Sequence, residues 1–288
     1  ELTMTEYISD LYNTYKEFMP KKQANTPFPD KIFLHKMMHL DEGEGDRIKK
    51  RGFQAVVGSL LWASRNVFPE ISCGINFLCR VMSNPSEIAW GAAMHMISYL
   101  YKEKDHGVRY VSDGNDVPIA HYDSSNKPDP SDGKCQYGFV IHLYGGPICW
   151  TSKKHAHVGL SSGMNEYMAL CHCIKTVVWL RQLLEEMGLN EMTEKPTLVF
   201  GDNDNCTRLS KEDIVTSGNK FYYLPYHYSK EAVAMGHVKT LRCDTTENLS
   251  DPLTKNLTTG KCVSLFPSLK GYDGFLVEIG HAHYVFQV

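Results

Sequence analysis

Between residues 116 and 154 apolar and polar positions alternate in three short runs. A polar, Pro- and Gly-rich stretch separates the first from the second, and Gly145-Gly146 separates the second from the third. Period two is the pattern of a strand, so the region predicts three consecutive antiparallel strands with a tight hairpin between the last two. Asp123 stands at the end of the first strand. Further on, Ser161/Ser162 open a long helical pattern closed by Gly188, and TLVFGD predicts a fourth strand ending on Asp202. A short helix, NDNCTRLS, follows. The next helical pattern, NKFYYLPYHYSKEAVAMG, carries Pro225 in its interior, where a break or kink is expected. HVKTLRC predicts a fifth strand, and Ser250-Asp251-Pro252 the start of a short final helix with Asp251 as its cap. The order βββαβαβα predicts an α/β fold with a mixed five-stranded sheet and flanking helices.

The first part of the chain is patterned differently. Tyr7, Leu11, Tyr15 and Phe18 recur at helical spacing, with Thr3 or Thr5 as a cap. Residues 20–48 are punctuated by Pro, Lys and Gly and end in the acidic run DEGEGD, the composition of a loop or linker. Residues 52–66 and 70–83 are strongly apolar and predict buried helices. Ser86 caps a third, running to about Lys104, with Trp90, Ala93, Met94, Ile97 and Leu100 on its buried face. A period-two run, VRYVSDG, then leads to a boundary near Gly114. Three units result: a helical unit over 1–114, an α/β domain over 115–260 and an extension over 261–288. That extension ends in the strand-like run FLVEIGHAHYVFQV, which an exposed edge would leave looking for a strand partner or packing on its own sheet.

The composition narrows the classes. The chain has 288 residues, 42% of them hydrophobic and 22% charged, which is globular and long enough for two modest domains. Its net charge of -3, with a pI near 6.5, requires any nucleic-acid contact to come from a local basic patch. Nine cysteines without an even framework predict free thiols and an intracellular, reducing compartment. No run approaches 18 apolar residues, so no membrane span is expected. The chain opens on Glu1, as a processed N-terminus would. His35 and His39 have the i, i+4 spacing of a helical metal site, but no carboxylate accompanies them and a surface pair is expected. His281 and His283 share one side of the terminal strand-like run, and Cys171-His172-Cys173 predicts packing within a helix.

Several strings resemble one family closely: VGSLLWASRNVFPEISCGINFLCRVMSNPSEIAW, CWTSKKHAHVGLSS, NEYMAL, VVWLRQLLEE, FGDND, PYHYSKE and ENLSDPLTKNL. Together, over residues 1–260, they resemble the C-terminal part of a copia-type retrotransposon Pol polyprotein. There the thumb or connection of a reverse transcriptase precedes a ribonuclease H domain. The resemblance implies a ribonuclease H-like sheet after a mostly helical reverse-transcriptase remnant. It also implies no polymerase activity, because the palm and its paired aspartates lie upstream.

Four acids match the family's catalytic set: Asp123, Glu166, Asp202 and Asp251. Hydrolysis of a phosphodiester with two divalent ions about 3.5–4 Å apart needs several carboxylates converging on one point. Hard oxygen ligands suit Mg²⁺, with Mn²⁺ as the alternative. The resemblance implies that Asp123 bridges both ions, with Glu166 and Asp202 on one and Asp251 on the other. Taken singly, Asp251 before Pro252 is better explained as a cap, and Asp202 is as well explained as a turn residue. Lys153, Lys154 and Lys255 are the candidates for nucleic-acid contact.

The chain also departs from the family. Ser125 and Met164 stand where the family carries additional acids, and Phe221, Tyr223 and Pro225 replace a histidine, an aspartate and an arginine. Two functions follow. One is a ribonuclease H cleaving RNA in RNA–DNA hybrids. The other is a domesticated, catalytically silent structural or RNA-binding subunit of a large ribonucleoprotein such as a ribosome, contacting protein partners through its N-terminal region and C-terminal tail.

Overall fold

The computed structural model describes residues 1–29, 37–38, 41–112, 117–211, 223–273, 276–279 and 282–285. The first half is helical: α1 (Thr5–Thr14), α2 (Glu44–Lys50), α3 (Phe53–Asn66), α4 (Ser72–Arg80) and α5 (Glu87–Glu103). Their apolar faces close one core around Ile8, Phe53, Leu60, Leu78, Ile97 and Leu100. Ser86 caps α5 by accepting the Ala89 N–H at 3.1 Å, and all five residues expected on its inner face are buried. The cap of α1 differs from expectation. Met4 occupies that position without a side-chain bond, and Thr5 Oγ1 donates to the Lys104 carbonyl at 3.2 Å.

The acidic run is not all loop. Glu44 begins α2 and is buried, because its carboxylate accepts the backbone N–H groups of Asp41 and Glu87. The VRYVSDG run forms no regular strand over its described residues. Val108 bridges Leu2, and the N–H groups of Arg109 and Val111 donate to the carbonyls of Lys270 and Tyr144. Gly114, His35 and His39 lie outside the described residues.

The second half is built on β1 (Ile119–Ser124), β2 (Gln136–Leu143), β3 (Gly146–Lys154), β4 (Thr197–Gly201) and β5 (Val238–Arg242). The sheet order is β3-β2-β1-β4-β5; β1, β2 and β3 pair antiparallel, while β1, β4 and β5 run parallel. This is the mixed five-stranded sheet that the βββαβαβα order predicted. The hairpin falls one residue earlier than the Gly145-Gly146 reading. Tyr144 and Gly145, with φ of 54° and 70°, make the two-residue turn, and Gly146 already pairs with Leu143.

Every residue of β1 and β2 is buried, so helices cover both faces. On one face lies α6 (Ser162–Glu186), whose Tyr167, Leu170, Ile174 and Val177 pack on Tyr122, Phe139 and Ile141. Ser161 caps α6 by accepting the Met164 N–H, and Gly188 at φ +80° ends it as expected. The short α7 (Asp204–Leu209) and α8 (Tyr223–Ala234) follow β4. The residues just before Tyr223 lie outside the described ones, so the break expected at Pro225 is seen only from its C-terminal side. Pro225 is the third residue of α8 as described, a position where a proline is tolerated at a helix start.

The other face is closed by α9 (Asp251–Thr254) and α10 (Thr259–Lys270). Val140 of β2 packs there with Leu253, Leu257, Cys262, Leu265 and Leu269. Residue 261, drawn from sequence as the start of an extension, is therefore the third residue of a core helix. The terminal run forms β6 (Leu276–Ile279) and β7 (Ala282–Val285), which pair antiparallel with each other as a separate two-stranded sheet. His281 lies outside the described residues. Among the described residues no helix is long and apolar enough to cross a membrane, and all nine cysteines are free.

Leu269 is fully buried against the sheet. Leu269→Ala is expected to destabilise the protein by about 2–5 kcal/mol in denaturant titration. A change below about 0.5 kcal/mol, the size of a surface substitution, would show that α10 does not belong to this core.

Candidate metal centre

Because β1 and β4 are parallel neighbours, their carboxyl ends open at the same edge of the sheet, the place where open α/β sheets bind ligands. Asp123 lies next to last in β1 and Asp202 immediately follows β4. Asp251 is brought to them by a glycine. Gly138 of β2 pairs directly with Asp123, and a Cβ there would stand 2.6 Å from Leu253 Cβ and 3.1 Å from Thr254 Cγ2. Without that Cβ, α9 lies against the strand beside Asp123. Thr254 Oγ1 then donates to Asp123 Oδ2, and Asp251 sits one turn earlier.

Asp123, Asp202 and Asp251 each present a carboxylate oxygen, and these atoms all lie within 4.8 Å of one another. Asp123 and Asp251 are buried, and Asp202 is half-buried. Glu166 reaches the same edge from the second turn of α6. Its carboxyl accepts the Ser124 backbone N–H, while its buried Oε2 has no hydrogen-bond partner. Asp123, Ser125, Glu166, Asp202, Asn203 and Lys255 are among the walls of a cleft of about 500 Å³.

The electrostatics follow from crowding like charges in a dry place. Burial pushes the Asp123 carboxyl above its ordinary range; Lys255 opposes the shift and Asp251 adds to it. Burial raises Glu166 as well, reinforced by Asp123 and Asp202. Lys255 is the counter-charge. Its Nζ lies 2.8 Å from Asp251 Oδ1 and 3.2 Å from Asp123 Oδ2. Burial alone would lower its pKa, but the two carboxylates outweigh that and raise it. Lys261 Nζ adds a contact to Asp251 Oδ2 at 3.4 Å.

The donor set fits a hard divalent cation. It is all carboxylate oxygen, the choice of Mg²⁺ or Mn²⁺, and the orphaned Glu166 Oε2 calls for either a proton or a cation.

The four acids singled out in sequence thus meet at one cleft or in the cluster beside it. The three lysines do not act together. Lys255 lies on the carboxylates, Lys154 pairs with Asp129 and Asp132 at 3.2 and 2.7 Å, and Lys153 is exposed on β3. Ser125, in place of a second acid, extends the strand pairing by donating its N–H to the Gln136 carbonyl at 2.8 Å. Met164 packs against the α6 core, Tyr223 is exposed, and Phe221 lies outside the described residues.

Asp251 does not cap α9. Ser250 precedes the helix, and Asp251 is its first residue, with its side chain turned to the lysines. Sequence reasoning overlooked Gly138, Thr254 and Asn248, whose Nδ2 donates to the Tyr122 carbonyl at 3.0 Å and anchors the approach to α9. It also missed Lys255 as a partner of Asp251, although their i, i+4 spacing was a usable signal. His172 of the Cys-His-Cys string stacks on Tyr137, and both cysteines are buried, as packing predicts.

A carboxyl raised on folding has a definite linkage sign. Below Glu166's ordinary value of 4.5 both states hold the proton. As pH rises past that value the unfolded chain releases it while the folded protein retains it, so stability falls with rising pH. In chelator, Glu166→Gln is expected to be more stable than wild type at pH 8 by about 1–3 kcal/mol, with the gap closing toward pH 4.5. Thermal melts across that range check this, and identical pH slopes would contradict it.

No protein-family profile matches the chain. It is 29% identical over 242 residues to the retrovirus-related Pol polyprotein from transposon TNT 1-94 of Nicotiana tabacum, covering 83% of this chain and 18% of that one. It is 29% identical over 207 residues to the corresponding polyprotein from transposon RE2 of Arabidopsis thaliana, covering 72% of this chain and 14% of that one. The chain therefore spans less than a fifth of these curated relatives. Among solved structures it is similar to the N-terminal RNase H domain of a Mycobacterium tuberculosis protein, with a TM-score of 0.37 and 12% identity, over 52% of this chain and 98% of that one. Over most of its length the chain is similar to copia-type retrotransposon Pol polyproteins, and its second half is an α/β fold built on a mixed five-stranded sheet.

Proposed function

We propose that the protein is a ribonuclease H-type hydrolase that cuts the RNA strand of RNA–DNA hybrids with the aid of two Mg²⁺ ions. The observation that carries this reading is the convergence of Asp123, Asp202 and Asp251, with Glu166 beside them, at the open carboxyl end of the sheet. When bound, divalent cations activate the attacking water and neutralise charge on the leaving oxygen. The chain's own residues prepare for that. Asp123 would be the central ligand, and Thr254 donates to its carboxylate so that it keeps one orientation. Glu166 supplies an oxygen with no competing partner. Burial of Asp123, Glu166 and Asp251 keeps bulk water from screening them. The relationship to Pol polyproteins of retrotransposons supports a hybrid as substrate, since RNA–DNA hybrids are intermediates of reverse transcription.

A specific observation favours the second reading, a silent structural or RNA-binding subunit of a ribonucleoprotein. Two ammonium groups already neutralise Asp251, one of them shared with Asp123, and Ser125 and Met164 replace further acids.

A labelled RNA–DNA hybrid incubated with Mg²⁺ separates the two. Wild type is expected to cleave the RNA strand, and Asp123→Asn to do so at least about 100-fold more slowly, ~2.7 kcal/mol of transition-state stabilisation. Wild-type protein that leaves the hybrid intact in both Mg²⁺ and Mn²⁺ would overturn the enzymatic reading and leave the silent one.

A further inference from the structure

We infer that Lys255 is a built-in occupant of the carboxylate centre, and that it limits the resting protein to one divalent cation. This rests on the metal-binding reading above. Lys255 directly follows α9, and its backbone N–H donates to the Asp251 carbonyl at 3.0 Å, so the stem of the side chain is fixed beside the site. The head is not shared evenly. It takes Asp251 Oδ1 at 2.8 Å and both oxygens of Asp123 at 3.2 and 3.3 Å.

Two carboxylate oxygens that share one Mg²⁺ at about 2.0–2.1 Å are themselves about 3 Å apart. An ammonium within hydrogen-bond reach of both fills the space between them. A cation bridging Asp123 and Asp251 therefore has to displace Lys255.

Charge points to the same number. Fully ionised, Asp123, Glu166, Asp202 and Asp251 carry four negative charges. Lys255 and Lys261 offset two, and one divalent cation balances the rest. The first cation has an uncommitted oxygen to take. Glu166 is 5% exposed, its Oε2 has no partner, and it lines the cleft with Asp123 and Asp202. The Lys255 side chain is 34% exposed and lines the same cleft. It can swing outward without unfolding α9.

The test is calorimetric titration of Mn²⁺ into chelator-stripped wild type, Lys255→Met, Lys255→Gln and Lys255→Arg, each shown by its melting curve to be folded. Wild type and Lys255→Arg are expected to bind one ion. The neutral variants are expected to bind two, or to bind the second at least about tenfold more tightly than wild type does. Two comparable ions in wild type, or a single ion in a folded neutral variant, would overturn the role of Lys255 while leaving the metal centre standing. The wild-type stoichiometry decides by itself should both neutral variants fail to fold. No binding by any of the proteins would overturn the inference and the metal-dependent function together.

Discussion

Like charges held out of water are the constraint on which the rest of this structure depends. Three carboxylate oxygens within 4.8 Å, with a fourth carboxyl beside them, are unfavourable anywhere in a folded chain. The fold holds them there by backbone geometry rather than by side-chain choice alone. Parallel pairing of β1 and β4 places Asp123 and Asp202 at one edge, and the bare Gly138 lets α9 deliver Asp251. Lys255 supplies the charge that keeps the assembly from repelling itself. Such an arrangement stores an electrostatic demand that a divalent cation would satisfy.

The helical half of the chain braces this site. Arg80 of α4 pairs with the buried Asp129 at 3.0 Å and bonds Gln136 at the start of β2. Gln136 Nε2 donates to Ser152 Oγ at 2.7 Å, and Ser152 Oγ in turn donates to the Leu253 carbonyl of α9 at 2.6 Å. Asn76 donates to the Ser152 carbonyl at 3.0 Å, and Trp150 Nε1 to the Ser64 carbonyl at 2.8 Å. A continuous run of hydrogen bonds thus links α4, through β2 and β3, to the helix that carries Asp251. The buried Lys270–Glu70 ion pair at 3.0 Å makes a second tie, from α10 to the turn before α4. Both ties join segments that the sequence pattern assigned to different units.

What the sequence made legible was whatever the period of burial imposes locally. The strands showed because β1 to β3 are short, mostly apolar runs set off by Pro- and Gly-rich turns, and α5 and α6 because Ser86 and Ser161 cap them ahead of long apolar faces. The four acids were legible through the resemblance, since no single spacing along the chain joins Asp123 to Asp251. The rest was hidden for physical reasons. Pro267 inside α10 removes a helical hydrogen bond, so a core helix read as an irregular extension, although Cys262, Leu265 and Leu269 keep helical spacing. Glu44 looked like a solvated acid because the N–H groups that draw it inward include one 43 residues away. Lys255 read as a nucleic-acid contact because one of its two carboxylate partners, Asp123, lies 132 residues away in the chain.

The central claim is that Asp123, Glu166, Asp202 and Asp251 form one cation-binding centre at the end of the sheet. Anomalous diffraction from crystals of the protein soaked in Mn²⁺ tests it most directly. A Mn²⁺ peak within about 2.5 Å of carboxylate oxygens of Asp123 and of at least one of the other three acids is the predicted result. An ordered cleft with no anomalous peak at saturating Mn²⁺, or Mn²⁺ bound only elsewhere on the surface, would contradict it.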